Sequence, residues 1–350
     1  MVSACHRAIA RDVIERAAES GPFAGVVVVT DMAGFGDGLG RGVVVEPGGS
    51  SFHFGQALKD VIERHGIERP LYVGRGSLPL ISAHELGELA RKLGRAQDTV
   101  ITNNPYSADV VAFAPGSAIA RVELPAADNP LPQLLVRQAG LGQVALPRTA
   151  VYQFDVDTPA DLLVLALHPG AGAHTRACIE GMALDASHVE RASALFADPD
   201  GQVVVAGRIG SHVWSRLEAE TSCRVRVLSE ERSMHTDERE RRGEVRTILG
   251  FYLEHVSFRR FFDTLGELGH AAFIDTRVLF SHRGLKPLAA DRFYSDLRQP
   301  QHIADPFVRE FTAAAIEAPI PVVLGGHSLV SGGLLALIEV ARMRHGGAPA

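Results

Sequence analysis

The feature that most constrains this chain is its repeated alternation of short β-branched runs with amphipathic stretches. GVVVVTD (25–31), VVVE (43–46), PLYVG (70–74), DTVITN (98–103) and ADVVAFAP (108–115) read as strands. Residues 6–19, 55–66, 82–94 and 131–140 carry helical spacing, and Ser82 with Glu85 three residues on forms a capping box. DTPADLLVLALHP (157–169) opens a further helix with Pro159 in its first turn. Units of this size predict an α/β fold whose mostly parallel sheet is covered by helices on both faces. Such folds place their sites at the carboxyl ends of strands.

HPGAGAHTR (168–176) is the expected boundary between a first domain over 1–175 and a second over 176–350. The second domain reads as mixed and helix-rich. It has strands at 202–207 and 223–229, a helix at 212–222, helices across 247–268 and a terminal helix at 331–343. AAFIDTRVLFSH (271–282) reads as one strand, and 230–246, dense in both charge signs, as a solvated segment. No known family matches this half.

Several function classes fall away on composition. A net charge of −6 gives no overall electropositive footprint for duplex nucleic acid. No run approaches 18 apolar residues, and the first 20 residues read as an amphipathic helix rather than a signal peptide, so no membrane partner is expected. Cys5, Cys178 and Cys223 follow no zinc or disulfide spacing, which points to a reducing cytoplasm. Of 35 basic residues only Lys59, Lys92 and Lys286 are lysines, so any grip on phosphate falls to arginines.

FDVDTPADL (154–162) is the strongest local signal. A well-built strand-to-helix junction explains Thr158, Pro159 and Asp161, but not why Asp155 and Asp157 both end the strand. Paired carboxylates there suit Mg²⁺ or Mn²⁺ held against a nucleotide phosphate. TNNPYSAD (102–109) offers Asn103 and Asn104 to a sugar or acceptor hydroxyl, or else as turn caps. His53 stands before a helix, as cap or base. GFGDGLGRG (34–42), which carries Arg41, is a surface turn or an anion nest.

In the second half, AGRIGSHVW (206–214) sets Arg208, Ser211 and His212 at a helix start, where anions are attracted. Asp275 and Arg277 fall on one face of the 271–282 strand, as an internal ion pair or as a binding pair. The 290–312 stretch adds Asp291, Arg292, Ser295, Asp296, Asp305 and Arg309. VVLGGHSLVSGG (322–333) places Gly325, Gly326, His327 and Ser328 in a tight turn that can double as a nest over an anion. It is not the nucleophile elbow of a hydrolase.

FDVDTPADL resembles the DxDTPxDL or NxNTPxDL segment of MobA-like nucleoside-triphosphate transferases. The likeness spans roughly 6–167, with weaker echoes at 71–86 and 102–115. The resemblance implies a nucleotide-diphospho-sugar transferase-like fold, a nucleoside triphosphate or other phosphorylated small molecule as partner, and Mg²⁺ held by Asp155 with Asp157 beside it. A nucleotidyl group would pass to a phosphorylated acceptor. Two departures stand out. The family's opening strand and glycine-rich triphosphate loop have no counterpart before the first helix. Where the family carries an acidic metal ligand, GRGSLPL supplies Arg75, which suits a phosphate rather than a metal. The alternatives are a non-catalytic nucleotide- or phosphometabolite-binding protein derived from that fold, or a metal-dependent phosphate-ester hydrolase. A homo-oligomer that supplies missing groups across an interface is compatible with either.

Overall fold

The computed structural model describes residues 1–40, 42–49, 51–235, 237–344 and 346. The chain is α/β and divides into two compact units. An N-terminal unit takes Ser3–Gln153 with Gly172–Thr175, and a C-terminal unit takes Phe154–Ala171 and Arg176–Ala350 with Met1–Val2. The boundary expected at 175/176 is therefore displaced. The helix Pro159–Leu167, with almost every residue buried, packs in the C-terminal unit, where a Cβ on Gly325 would lie 3.0 Å from that of Ala160.

In the N-terminal unit the β-branched runs become β1 (Val26–Val29), β2 (Val43–Glu46), β3 (Leu71–Val73), β4 (Thr99–Thr102) and β5 (Val110–Ala114). Gly142–Ala145, whose sequence carried no strand signal, adds β6. β1 and β2 form a parallel pair, and the other four make a sheet in the order β3-β5-β4-β6. β5 runs against both neighbours, while β6 is parallel to β4. Along β5, Val111 and Phe113 enter one core with Val100, Leu131 and Leu135. Val110, Ala112 and Ala114 enter another with Ile101, Leu86, Leu89 and Leu93. Covering both faces explains why this strand is apolar throughout instead of alternating. The capping box forms as expected: the Glu85 amide donates to Ser82 Oγ at 3.2 Å and the Ser82 amide to Glu85 Oε2 at 2.8 Å. The glycine-rich loop is a turn stitched by its own amides, with Arg11 donating to the carbonyls of Phe35 and Asp37 at 3.0 and 2.9 Å. Arg41 lies outside the described residues.

The C-terminal unit has a wholly parallel sheet of β7 (Gln202–Gly207), β8 (Arg224–Ser229), β9 (Ala271–Asp275) and β10 (Val322–Gly325). Its order is β10-β9-β7-β8. The chain first steps from β7 to β8, then crosses to the other side of β7 for β9 and β10. That reversal creates a topological switch point between β7 and β9, the position where doubly wound sheets bind ligands. The expected 271–282 strand is corrected: it stops at Asp275, and Thr276–His282 turns into a buried helix. The 230–246 segment is not simply solvated either, since Met234 and Val245 are fully buried against Val278. Among the described residues, no helix is long and apolar enough to cross a membrane.

Candidate functional site

At the switch point the two strand ends approach so closely that only glycine fits. Gly207 has φ +125°, and a Cβ there would lie 2.4 Å from that of Asp275. The next residue, Arg208, crosses to the neighbouring strand and grips Asp275 through Nε and Nη2, at 2.6 and 3.1 Å. Burial alone would raise the Asp275 carboxyl, but the Arg208 guanidinium outweighs it and holds the pKa below the ordinary value. Asp275 also caps the following helix by accepting from the Arg277 amide. The Arg277 side chain pairs with Asp296 through both Nη atoms, at 2.9 and 2.8 Å, and donates to the Gly325 carbonyl at 3.2 Å. Asp275 and Arg277, expected as each other's partner or as a shared binding pair, thus each take a different partner. Both pairs are buried.

The DVDTP segment joins this floor. Ser328 Oγ donates to the Asp155 carbonyl at 2.7 Å, and a Cβ on Gly326 would sit 3.5 Å from Thr158 Cγ2 and 3.6 Å from Arg277 Nε. Asp161 is fully buried, and its Oδ2 accepts from the Asp157 and Thr158 amides and the Thr158 hydroxyl, while Oδ1 has no partner among the described residues. Burial, then the charge of Asp157, pushes its pKa up to about 7. Gly325 is a packing position, filled on its side-chain side by Leu329 and Ala160. The 325–333 turn spends the Ser331 and Gly333 amides on the Ser328 carbonyl, so they are not free to form the expected nest.

Three groups around these matched pairs have no hydrogen bond or ion pair among the described residues. Arg292 is half-buried, one helical turn before Asp296, and burial followed by the nearby Arg277 charge pulls its pKa below the ordinary value. His327 is reached by solvent, yet the surrounding protein and then Arg208 push its pKa down to about 4, leaving it neutral at pH 7. Asp157 is exposed and electrostatically coupled to His327. Two depressions lie elsewhere, one of about 520 Å³ between Ala219–Ser222 and Arg342, the other of about 320 Å³ beside Glu46 and Arg64.

The remaining expected residues do other things. Asp291, expected to bind substrate, instead accepts from the Ala304 and Asp305 amides at 2.9 and 3.1 Å and shapes the entry to the helix Pro306–Ile316. His212 folds back over Gly210 at the start of the helix Ser211–Glu220. In the N-terminal unit, Asn103 Oδ1 takes the Asp109 and Val110 amides at 3.2 and 3.1 Å, and Asn104 Oδ1 takes the Tyr106 amide. Both serve as turn caps. His53 likewise caps the helix Phe54–His65. Arg75 is exposed at the carboxyl end of β3, near a half-buried Tyr72 whose hydroxyl donates to Asp128 at 2.7 Å. Sequence reasoning undervalued Asp296 and Asp161. Asp296 carried one usable signal, its i,i+4 spacing from Arg292 on an amphipathic helix.

One group of three candidate metal ligands stands out among the described residues, and it is not at Asp155 and Asp157. Asp12, Glu15 and His174, in the N-terminal unit, bring their ligand atoms within 4.8 Å of one another and could hold a metal ion. Asp12 has other work there: it accepts from the His174 and Thr175 amides at 2.9 and 2.8 Å and from Thr175 Oγ1 at 2.5 Å. Gly172 permits that approach, since a Cβ would fall 2.1 Å from the Asp12 carboxyl carbon. Comparison with known proteins brings no match, either to a family model or to a curated relative.

Proposed function

We propose that the C-terminal unit binds a phosphorylated small molecule at the β7–β9 switch point. The observation that carries this reading is Arg292, a half-buried guanidinium whose buried Nε has no hydrogen-bond partner among the described residues, next to the buried Arg277–Asp296 pair. Leaving a buried N–H of a charged group without a partner is costly. A phosphate dianion would relieve that cost with charge-assisted, two-pronged hydrogen bonds. The test is titration calorimetry of the protein and its Arg292→Gln variant with inorganic phosphate, AMP and ATP. Affinity for at least one should fall tenfold or more in the variant. Equal affinity, or no binding by the parent protein, would refute the reading.

A second reading, nucleotidyl transfer to a phosphorylated acceptor, is favoured by one observation. The Asp157 carboxylate is exposed and takes no hydrogen bond from a described residue, with the half-buried Asp155 two residues before it. These oxygens suit Mg²⁺ or Mn²⁺, which would neutralise triphosphate charge and draw electrons from the attacked phosphorus. In that reading the N-terminal unit has the nucleotide-diphospho-sugar transferase-like fold that the DTP resemblance implies. Pyrophosphate release from nucleoside triphosphates with Mg²⁺, lost in Asp157→Asn, would support it, and its absence with all four would sink it. A reducing cytoplasmic setting suits three free thiols.

A further inference from the structure

Asp12 and Glu15 stand one turn apart on the helix Val2–Ser20, so their side chains share a face. Gly172–Thr175, which packs in the N-terminal unit, meets that face at the start of the helix Ala173–Glu180. The Asp12 carboxylate holds the backbone of His174 and Thr175 there through their amides, at 2.9 and 2.8 Å. His174 is thereby placed with its ring Nε2 2.7 Å from Glu15 Oε1. One ligand atom from each of the three residues lies within 4.8 Å of the other two.

Helix capping accounts for the hydrogen bonds of this group but not for its charge. Asp12 is 3% exposed, and its three bonds come from uncharged donors. Among the described residues it has no ion pair, and the His174 ring faces Glu15 instead. Two carboxylates therefore share one imidazole, so even a protonated ring leaves negative charge in excess. A buried carboxylate favours a cation beside it. Capping also leaves Asp12 able to take one. Its Oδ2 accepts two bonds and its Oδ1 only one, and each carboxylate oxygen has two lone pairs. Carboxylates that bind metals are ordinarily oriented by such hydrogen bonds.

We infer that Asp12, Glu15 and His174 bind one divalent first-row transition ion. Ligand atoms at about 2.0–2.2 Å from a common ion stand at most about 4.4 Å apart. Small rotations of Glu15 and His174, the two members that solvent reaches, close the group onto an ion that enters between them. Two carboxylates with one imidazole suit Zn²⁺ or Mn²⁺ rather than Mg²⁺ or Ca²⁺, which prefer oxygen alone. Exposure of Glu15 and His174 leaves further positions to water. Asp155 and Asp157 take no part, since they belong to the C-terminal unit.

Equilibrium dialysis of the chelator-treated full chain against Zn²⁺, Mn²⁺ and Mg²⁺, with bound metal measured by atomic absorption, tests the inference. Zn²⁺ or Mn²⁺ should fill a site at least tenfold tighter than any for Mg²⁺. Losing a ligand should cost at least what losing an outer partner of a ligand does, about tenfold, so Glu15→Gln and His174→Ala should each weaken the site by that factor or more. Both replace solvent-reached side chains, and circular-dichroism melts without metal should match the parent protein's. His235→Ala breaks a similar exposed pair, with Glu240 at 2.7 Å, and should leave the affinity unchanged. Parent affinity in both variants, an equal loss in His235→Ala, Mg²⁺ binding as tight as Zn²⁺ and Mn²⁺, or no binding of either transition ion would each overturn the inference.

Discussion

Asp296→Asn is the sharpest test of the claim that the switch-point pairs are scaffolding. Asp296 is fully buried, and each of its oxygens accepts from a separate Nη of Arg277, at 2.9 and 2.8 Å. Asparagine keeps one acceptor and turns the other toward Arg277 as an amide donor. The variant therefore loses one charge-assisted bond, gains a donor facing a donor, and leaves a buried guanidinium without its counter-charge. Breaking buried pairs of this kind costs about 3–5 kcal/mol. The lower end is expected here, because Arg277 keeps its bonds to the Gly325 carbonyl at 3.2 Å and to Thr276 Oγ1 at 2.8 Å. Trp214, the chain's one tryptophan, lies on the helix Ser211–Glu220 of the C-terminal unit, so its fluorescence in urea reports that unit. The double variant Arg277→Met, Asp296→Leu removes both charges and should recover at least half of the loss. A cost below about 1 kcal/mol for the single variant, or no recovery in the double, would refute the reasoning.

Three further outcomes can be checked on the same protein. Asp161 titrates near 7 when folded against a model value of 3.8, because of burial and then Asp157. The folded state thus holds the extra proton between those values, and stability should fall as pH rises from about 4 to about 7, by up to about 4 kcal/mol, then level off. Urea midpoints across that range should flatten in Asp161→Asn. Gly207→Ala places a Cβ 2.4 Å from Asp275 at a φ of +125°, and should cost more than about 2 kcal/mol in the Trp214 transition and abolish ligand binding. Ser82→Ala removes one half of the capping box and should cost about 1 kcal/mol by circular dichroism, with phosphate binding unaltered.

The strands of the N-terminal unit were legible because a β-branched run such as VVAFA has few other ways to be buried on both faces. Caps were legible for a similar reason, since Ser82 and Glu85 act within one turn. The turn from strand to helix after Asp275 was not, because Thr276–His282 is buried on all sides and shows no amphipathic period. Nor was the membership of the DVDTP segment. Its contacts with the 325–328 turn join residues 173 positions apart, and nothing in FDVDTPADL announces them. Arg208, Arg277 and Arg292 were visible as candidates. Which of them is already spoken for depends on where Asp275 and Asp296 fall, and only the folded chain settles that.

The placement of Pro159–Leu167 also sets a timetable for biosynthesis. This helix is apolar apart from Asp161 and buried over most of its surface, and the surfaces that cover it include β10 and the residues just after it. A ribosome makes the helix roughly 155 residues before it makes β10, although the helix Ser187–Ala194, which also packs on it, follows soon after. At about 5–20 residues per second, a partly covered apolar segment waits on the order of ten seconds for this strand. That interval is the chain's window of vulnerability to aggregation. Chaperone dependence during synthesis should therefore be greatest for truncations that end shortly before Val322.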